Sequence, residues 1–276
     1  MTFKTILAVI GARDAATDVD KAIDLAREHD AHLSVLVVGA ALQPVMADYP
    51  VAAAWLDQRQ KDIDDLLDVH HDAEDRCRKN GISFDIDSMF DDRFILESNI
   101  GARAMYADLV LLGNGVRGDR GLRKSVMAGA AFNAGTPLLL LPQTGGASLT
   151  PKTVLLAWNS RPEAARAAKA ALNMLVAAAV VHVVLVDPDS SYFGNGGEPG
   201  ADIAAFLARH GVRVMVEQVT SSGRDVEAVL TQHGREIGCD MIVMGAYGHS
   251  RLRESIFGGV TASILDACPL PVFLAR

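Results

Sequence analysis

Met241-Ile242-Val243-Met244-Gly245-Ala246-Tyr247-Gly248, followed after nine intervening residues by Gly258-Gly259, is the stretch on which the reading of this chain turns. Its first four residues form a short apolar run, the mark of a strand buried on both faces. A helix-compatible run follows, from Gly259 to Ala267. Glycines between a strand and a helix let bare backbone N–H groups approach a phosphate. The helix N-terminus adds about half a positive charge there. The same glycines also permit a tight turn and close packing, so the surrounding sequence has to decide between the two uses.

Outward from this stretch the chain repeats one plan twice. Thr5-Ile6-Leu7-Ala8-Val9-Ile10 corresponds to Thr153-Val154-Leu155-Leu156-Ala157-Trp158. Alanine-rich helical runs follow, Ala15 to His29 and Glu163 to Leu175, and then second strands, Leu33 to Val38 and Val180 to Val186. The next helices, Gln58 to Asn80 and Ala201 to His210, each stop at a glycine placed as a C-cap, Gly81 and Gly211. Third strands are expected at Ser83 to Ser88 and Arg213 to Val219, fourth strands at Leu109 to Leu112 and Met241 to Met244. Each half closes with a strand after a proline, Leu138 to Leu141 and Val272 to Leu274. Strands apolar throughout, alternating with helices, predict an α/β fold with two domains, each a five-stranded parallel sheet sandwiched by helices. The expected limits are residues 1–142 and 152–276, joined by a small, polar linker at 143–151. In such sheets ligands bind beyond the carboxyl ends of the strands, where strand order reverses.

Composition narrows the function classes. Half of the 276 residues are hydrophobic and 22% are charged, which suits a chain with a substantial core. The formal net charge is −8, with no basic tract, which argues against nucleic acid or an anionic membrane as partner. No apolar run reaches the roughly 18–20 residues of a membrane span, and Met1 to Val9 lacks the pattern of a secretory signal. Cys77, Cys239 and Cys268 form no CxxC pair and read as reduced, buried thiols of a cytoplasmic protein. His70-His71-Asp72 with Glu74 reads as a solvated helix face rather than a metal site.

On these residues the chain resembles a tandem universal stress protein, with a Rossmann-like domain in each half. ATP-binding members of that family carry G-x2-G-x9-G-[S/T] after the fourth strand. Gly245, Gly248 and Gly258 keep the spacing here, whereas Gly259 stands where a hydroxyl residue is usual. The resemblance implies a nucleotide site formed by Ala157, Trp158, Asn159, Leu185, Met244, Gly245, Gly248, Gly258, Gly259 and Val260. It implies ATP or another adenine nucleotide as the cofactor, with or without Mg. Asn159 holds the place of an aspartate that contacts the nucleoside; it keeps an acceptor oxygen but loses the charge. Leu185 falls where the family uses an apolar contact to adenine.

The first half departs further. Gly113-Asn114-Gly115-Val116-Arg117-Gly118 retains glycines, but Ala128-Gly129 replaces the final pair and Ile10 replaces the acidic residue. This half is expected to bind no nucleotide and to serve as a partner surface for the second. The family resemblance further implies pairing through the last strands, Leu138–Leu141 with Val272–Leu274, across a pseudo-twofold axis; whether the whole chain also forms a homodimer is left open by the sequence. No P-loop, S-G-G-x-D-S loop or H-I-G-H signature is present, and no general base stands beside the glycine run. The expected activity is therefore binding and regulation with little or no hydrolysis. A nucleotide-free interaction scaffold and a slow ATPase or adenylating enzyme are the alternatives.

Overall fold

The computed structural model describes residues 3–41, 49–188, 198–246, 263–265 and 268–276. The chain divides into two compact units, Phe3–Thr136 and Pro137–Arg276.

The first unit runs β1 (Thr5–Ile10), α1 (Ala15–His29), β2 (His32–Ala40), α2 (Tyr49–Asn80), β3 (Phe84–Asp91), α3 (Arg93–Ala104), β4 (Leu109–Leu112), α4 (Asn114–Gly118) and α5 (Arg120–Met127). A π-helical stretch, Ala128–Ala134, ends it. Its strands are all parallel, in the order β3-β2-β1-β4. Ile6 to Ile10 and Leu109 to Leu112 are all buried, because both faces of these strands are covered. α1 buries Val19, Ala22, Ile23 and Ala26, a stripe at helical spacing. α3 starts where Asp92 accepts the N–H groups of Phe94 (2.9 Å) and Ile95 (3.0 Å).

The second unit runs β5 (Leu138–Leu140), β6 (Thr153–Ala157), α6 (Pro162–Ala170), α7 (Leu172–Ala177), β7 (Val180–Val186), α8 (Ala201–Arg209), β8 (Val214–Val219), α9 (Val226–Glu236), β9 (Met241–Gly245) and β10 (Val272–Ala275). β10, β9, β6, β7 and β8 lie in that order as a parallel sheet of five. β5 adds to β10 antiparallel, with Leu138 opposite Leu274, Leu139 opposite Phe273 and Leu140 opposite Val272. The strand that closes the first half of the sequence repeat thus belongs to the second compact unit. Residues 143–151 carry neither helix nor strand.

The α/β fold, its parallel sheets and the order of elements agree with the sequence reading. The differences lie at element ends. α2 begins at Tyr49 rather than Gln58, and the helix expected over Glu163–Leu175 is divided at Ala171 into α6 and α7. Most of the run expected as a helix from Gly259 lies outside the described residues. The three cysteines are free and buried; burial pushes the Cys77 thiol up to about 11 and the Cys239 thiol up to about 12. Both are protonated near neutral pH and unsuited to nucleophilic work. No helix among the described residues is long and apolar enough to cross a membrane. Among the same residues no group of His, Cys, Asp and Glu is arranged to hold a metal ion. Asp72 and Glu74 instead pair with Arg76 (2.6 Å) and Arg78 (2.6 Å), one helical turn on.

Candidate functional site

Each sheet reverses its strand order at its first strand: β1 lies between β2 and β4, and β6 between β7 and β9. Here the strands end, the helices begin, and a ligand has room between diverging loops.

In the first unit the β4 side of this crevice is taken up by the chain itself. Asp18, in the first turns of α1, is fully buried. Its two carboxylate oxygens accept the backbone N–H groups of Asn114 (2.9 Å) and Gly115 (3.0 Å), where β4 gives way to α4. The loop after β1 presses on the same spot, for a Cβ on Gly115 would lie 1.9 Å from the carbonyl oxygen of Arg13. Burial pushes the Asp18 carboxyl above its ordinary value of 3.8, and the two N–H bonds pull against that. An internal carboxylate thus holds the amides that a phosphate would take. Nothing in the sequence singles out Asp18, which reads there as an ordinary acid in a first helical turn.

In the second unit the structure brings together the ends of β6 and β9. Ala157 and Trp158 are half-buried and Asn159 is exposed. Trp158 donates its N–H to the carbonyl of Val184 (2.9 Å), extending the ladder one residue past β6. The side-chain oxygen of Asn159 accepts the N–H of Arg161 (3.2 Å), so this residue shapes the turn into α6. Met244 is buried. Gly245 meets the backbone of α6: a Cβ there would lie 2.6 Å from the Ala164 nitrogen and 2.6 Å from the Glu163 carbonyl carbon. Only glycine fits at that contact. Glu163, in the first turn of α6, is 8% exposed, and its Oε1 is buried without a hydrogen-bond partner. Sequence reasoning passed over Glu163; its signal is an acid at the second position of the helix that follows the first strand of the repeat.

Leu185 is buried at the end of β7, and its Cδ1 is 3.0 Å from where a Cβ on Gly200 would stand, so it packs under the start of α8. Asp187, next but one, accepts the N–H of Ser221 (3.0 Å), and hydrogen bonds from Ser221 hold its carboxyl below the ordinary range. Gly248, Gly258, Gly259 and Val260 lie outside the described residues, as does Tyr247.

A second polar cluster sits on β7, β8 and α9. Glu217 accepts from His182 Nδ1 and from His233 Nε2 (2.6 Å). An ionised carboxylate only accepts, so both imidazoles donate to it. Burial pushes the Glu217 carboxyl up, but the two histidine bonds outweigh burial and hold it below the ordinary value of 4.5. A depressed carboxyl stabilises the fold above its unfolded value, and that stability is lost as pH falls through the folded value. Urea melts below about pH 4.5 should therefore show a loss of stability that Glu217→Gln lacks. At pH 7 Glu217→Gln is expected to cost about 1–2 kcal/mol. An unchanged midpoint at both pH values would show the cluster to be energetically idle.

The region around the second crevice is similar to known proteins. Residues 150–276 match the family model described as the Universal stress protein family. A curated universal stress protein from Synechocystis is 30% identical over 70 residues, 25% of this chain and 23% of that relative. The match therefore spans about a quarter of that relative's length. The solved structure of a universal stress protein from Archaeoglobus fulgidus superposes with a TM-score of 0.66 at 16% identity, covering 98% of this chain and 96% of that one. A putative universal stress protein from Pseudomonas aeruginosa gives a TM-score of 0.58 at 15% identity, covering 99% and 93%. At these identities the structural likeness establishes the fold, and it extends over both units.

Proposed function

We propose that this chain is a tandem universal stress protein whose second unit binds an adenine nucleotide, with ATP as its ligand, and whose first unit is closed to one. The observation that carries the reading is the contrast between the two crevices. In the first, Asp18 engages the amides of Asn114 and Gly115. In the second, β9 delivers Gly245, the first residue of the G-x2-G-x9-G run, to the side of β6 and the start of α6. Trp158 and Asn159 stand at the end of the neighbouring strand, and the universal stress protein match covers this unit. Main-chain amides of the glycine run would hold the polyphosphate.

The residues present fit the ligand. The orphaned Oε1 of Glu163 is an acceptor waiting for a donor, and a nucleotide hydroxyl or a magnesium-bound water supplies one. On this reading the protein binds and signals with little or no hydrolysis, and Glu163, the acid beside Gly245, would orient the ligand rather than turn it over. It acts in the cytoplasm through a conformation or partner surface biased by the nucleotide, and makes no use of nucleic acid or membrane. Mass spectrometry of acid-released small molecules from the purified chain is expected to show an adenine nucleotide. An empty protein that also fails to take up ATP in calorimetry would favour the scaffold instead.

A further inference from the structure

One side of α3, continued through Met105 and Tyr106 in the turn that follows it, carries no charged residue. Phe94 is 79% exposed, Ile95 39%, Met105 60% and Tyr106 82%. Between them on the same side lie the exposed small residues Ser98 and Ala102. At about 100° per residue these six positions fall within an arc of about 120°, while Leu96, Ile100 and Ala104 on the opposite side are buried in the unit. Four large apolar side chains held in water on one helix face are unusual for a monomeric surface.

The order of the six residues matters as much as their exposure. Read from either end the pattern is large, large, small, small, large, large. If α3 of one copy lies antiparallel against α3 of another, centred at position 100, Phe94 faces Tyr106, Ile95 faces Met105 and Ser98 faces Ala102, and each pairing occurs twice. An isologous contact demands this self-complementarity. Small residues at the centre let the helices approach, and aromatic pairs close both ends. Two chains of net charge −8 repel, and the six positions of this face themselves carry no formal charge. The four large side chains present about 500 Å² per copy, hence about 1,000 Å² when two copies pair, near the lower bound for a specific interface.

We propose that the α3 face is a self-association surface through which two copies of this chain pair antiparallel about a two-fold axis. The interface is small, so the dimer is expected to dissociate at about 10 μM. The test is sedimentation of the full chain between about 1 and 200 μM, around that expected value. Ala102→Arg and Ser98→Asp each place a charge on the exposed centre of the face and should each weaken the dimer about 100-fold. Mixing these two variants should restore a heterodimer, because position 98 of one copy faces position 102 of the other. A chain that stays monomeric throughout, a dimer indifferent to Ala102→Arg, or a mixture that does not reassociate would each overturn the proposal. The test is independent of whether the second unit binds nucleotide.

Discussion

Asp18→Ala is expected to lower the stability of the chain by about 2–4 kcal/mol, at a side chain fully buried in the first turns of α1. Two charge-assisted hydrogen bonds disappear, and the N–H of Gly115 is left buried without this acceptor, that of Asn114 half-buried. Removing a buried charge returns part of the loss, which is why the figure does not reach the sum of both bonds. Asp18→Asn keeps one acceptor oxygen but turns an amide donor toward the other N–H, so it should lie between alanine and wild type. Guanidinium unfolding followed by fluorescence suits the measurement, since the two tryptophans, Trp55 and Trp158, report on one unit each. The Trp55 transition should move. pH adds a second signature. The folded carboxyl titrates above its ordinary value, so the folded state holds this proton more tightly than the unfolded state. The group's contribution to stability therefore declines as pH rises from about 3.8 through the folded value, and Asp18→Ala should remove that slope. A variant with wild-type midpoint and slope would mean that the bonds in the first crevice carry no weight.

Gly248→Val and Gly258→Val should each reduce ATP affinity in calorimetry by about 100-fold or more. At the proposed site a branched side chain at either position would hold the polyphosphate away from the main-chain amides of the glycine run, and about 2.8 kcal/mol of lost contact corresponds to that factor. Retained ATP affinity in both variants would place the nucleotide elsewhere or remove it from the reading. Asp18→Ala serves as the comparison: it alters the first unit, and the proposal expects ATP affinity in the second to remain as in wild type.

The fold was legible because parallel strands covered on both faces are apolar at every position, as in Leu109 to Leu112 and Met241 to Met244. Gly81 and Gly211 also marked helix ends correctly, both with positive φ. Where such punctuation is missing the reading slipped. The alanine-rich run through Ala171 gives no sign of a division between α6 and α7, whereas the early start of α2 is signalled by Pro50 and Ala52-Ala53-Ala54, which the reading passed over. Of the candidate site, Ala157, Trp158 and Asn159 do come beside Gly245, since strand order alone places them there. Leu185 stands at the end of β7, where its side chain also meets Gly200 at the start of α8. The groups that give the two crevices different character were not legible. Asp18 bonds amides 96 and 97 residues away, and Glu217 gathers histidines 35 and 16 residues distant. Contacts of that range leave no local pattern, because periodicity reports only on neighbours along a helix or strand.

The antiparallel seat of Leu138–Leu140 on Val272–Leu274 bears on how the gene can be cut. A fragment started at the sequence repeat, near Thr153, leaves β10 with a bare hydrogen-bonding margin of apolar residues, a template for fibrous or amorphous association. A fragment started at Pro137 keeps its own cover strip. A cut that keeps this pairing intact therefore falls some fifteen residues ahead of the point the internal duplication marks.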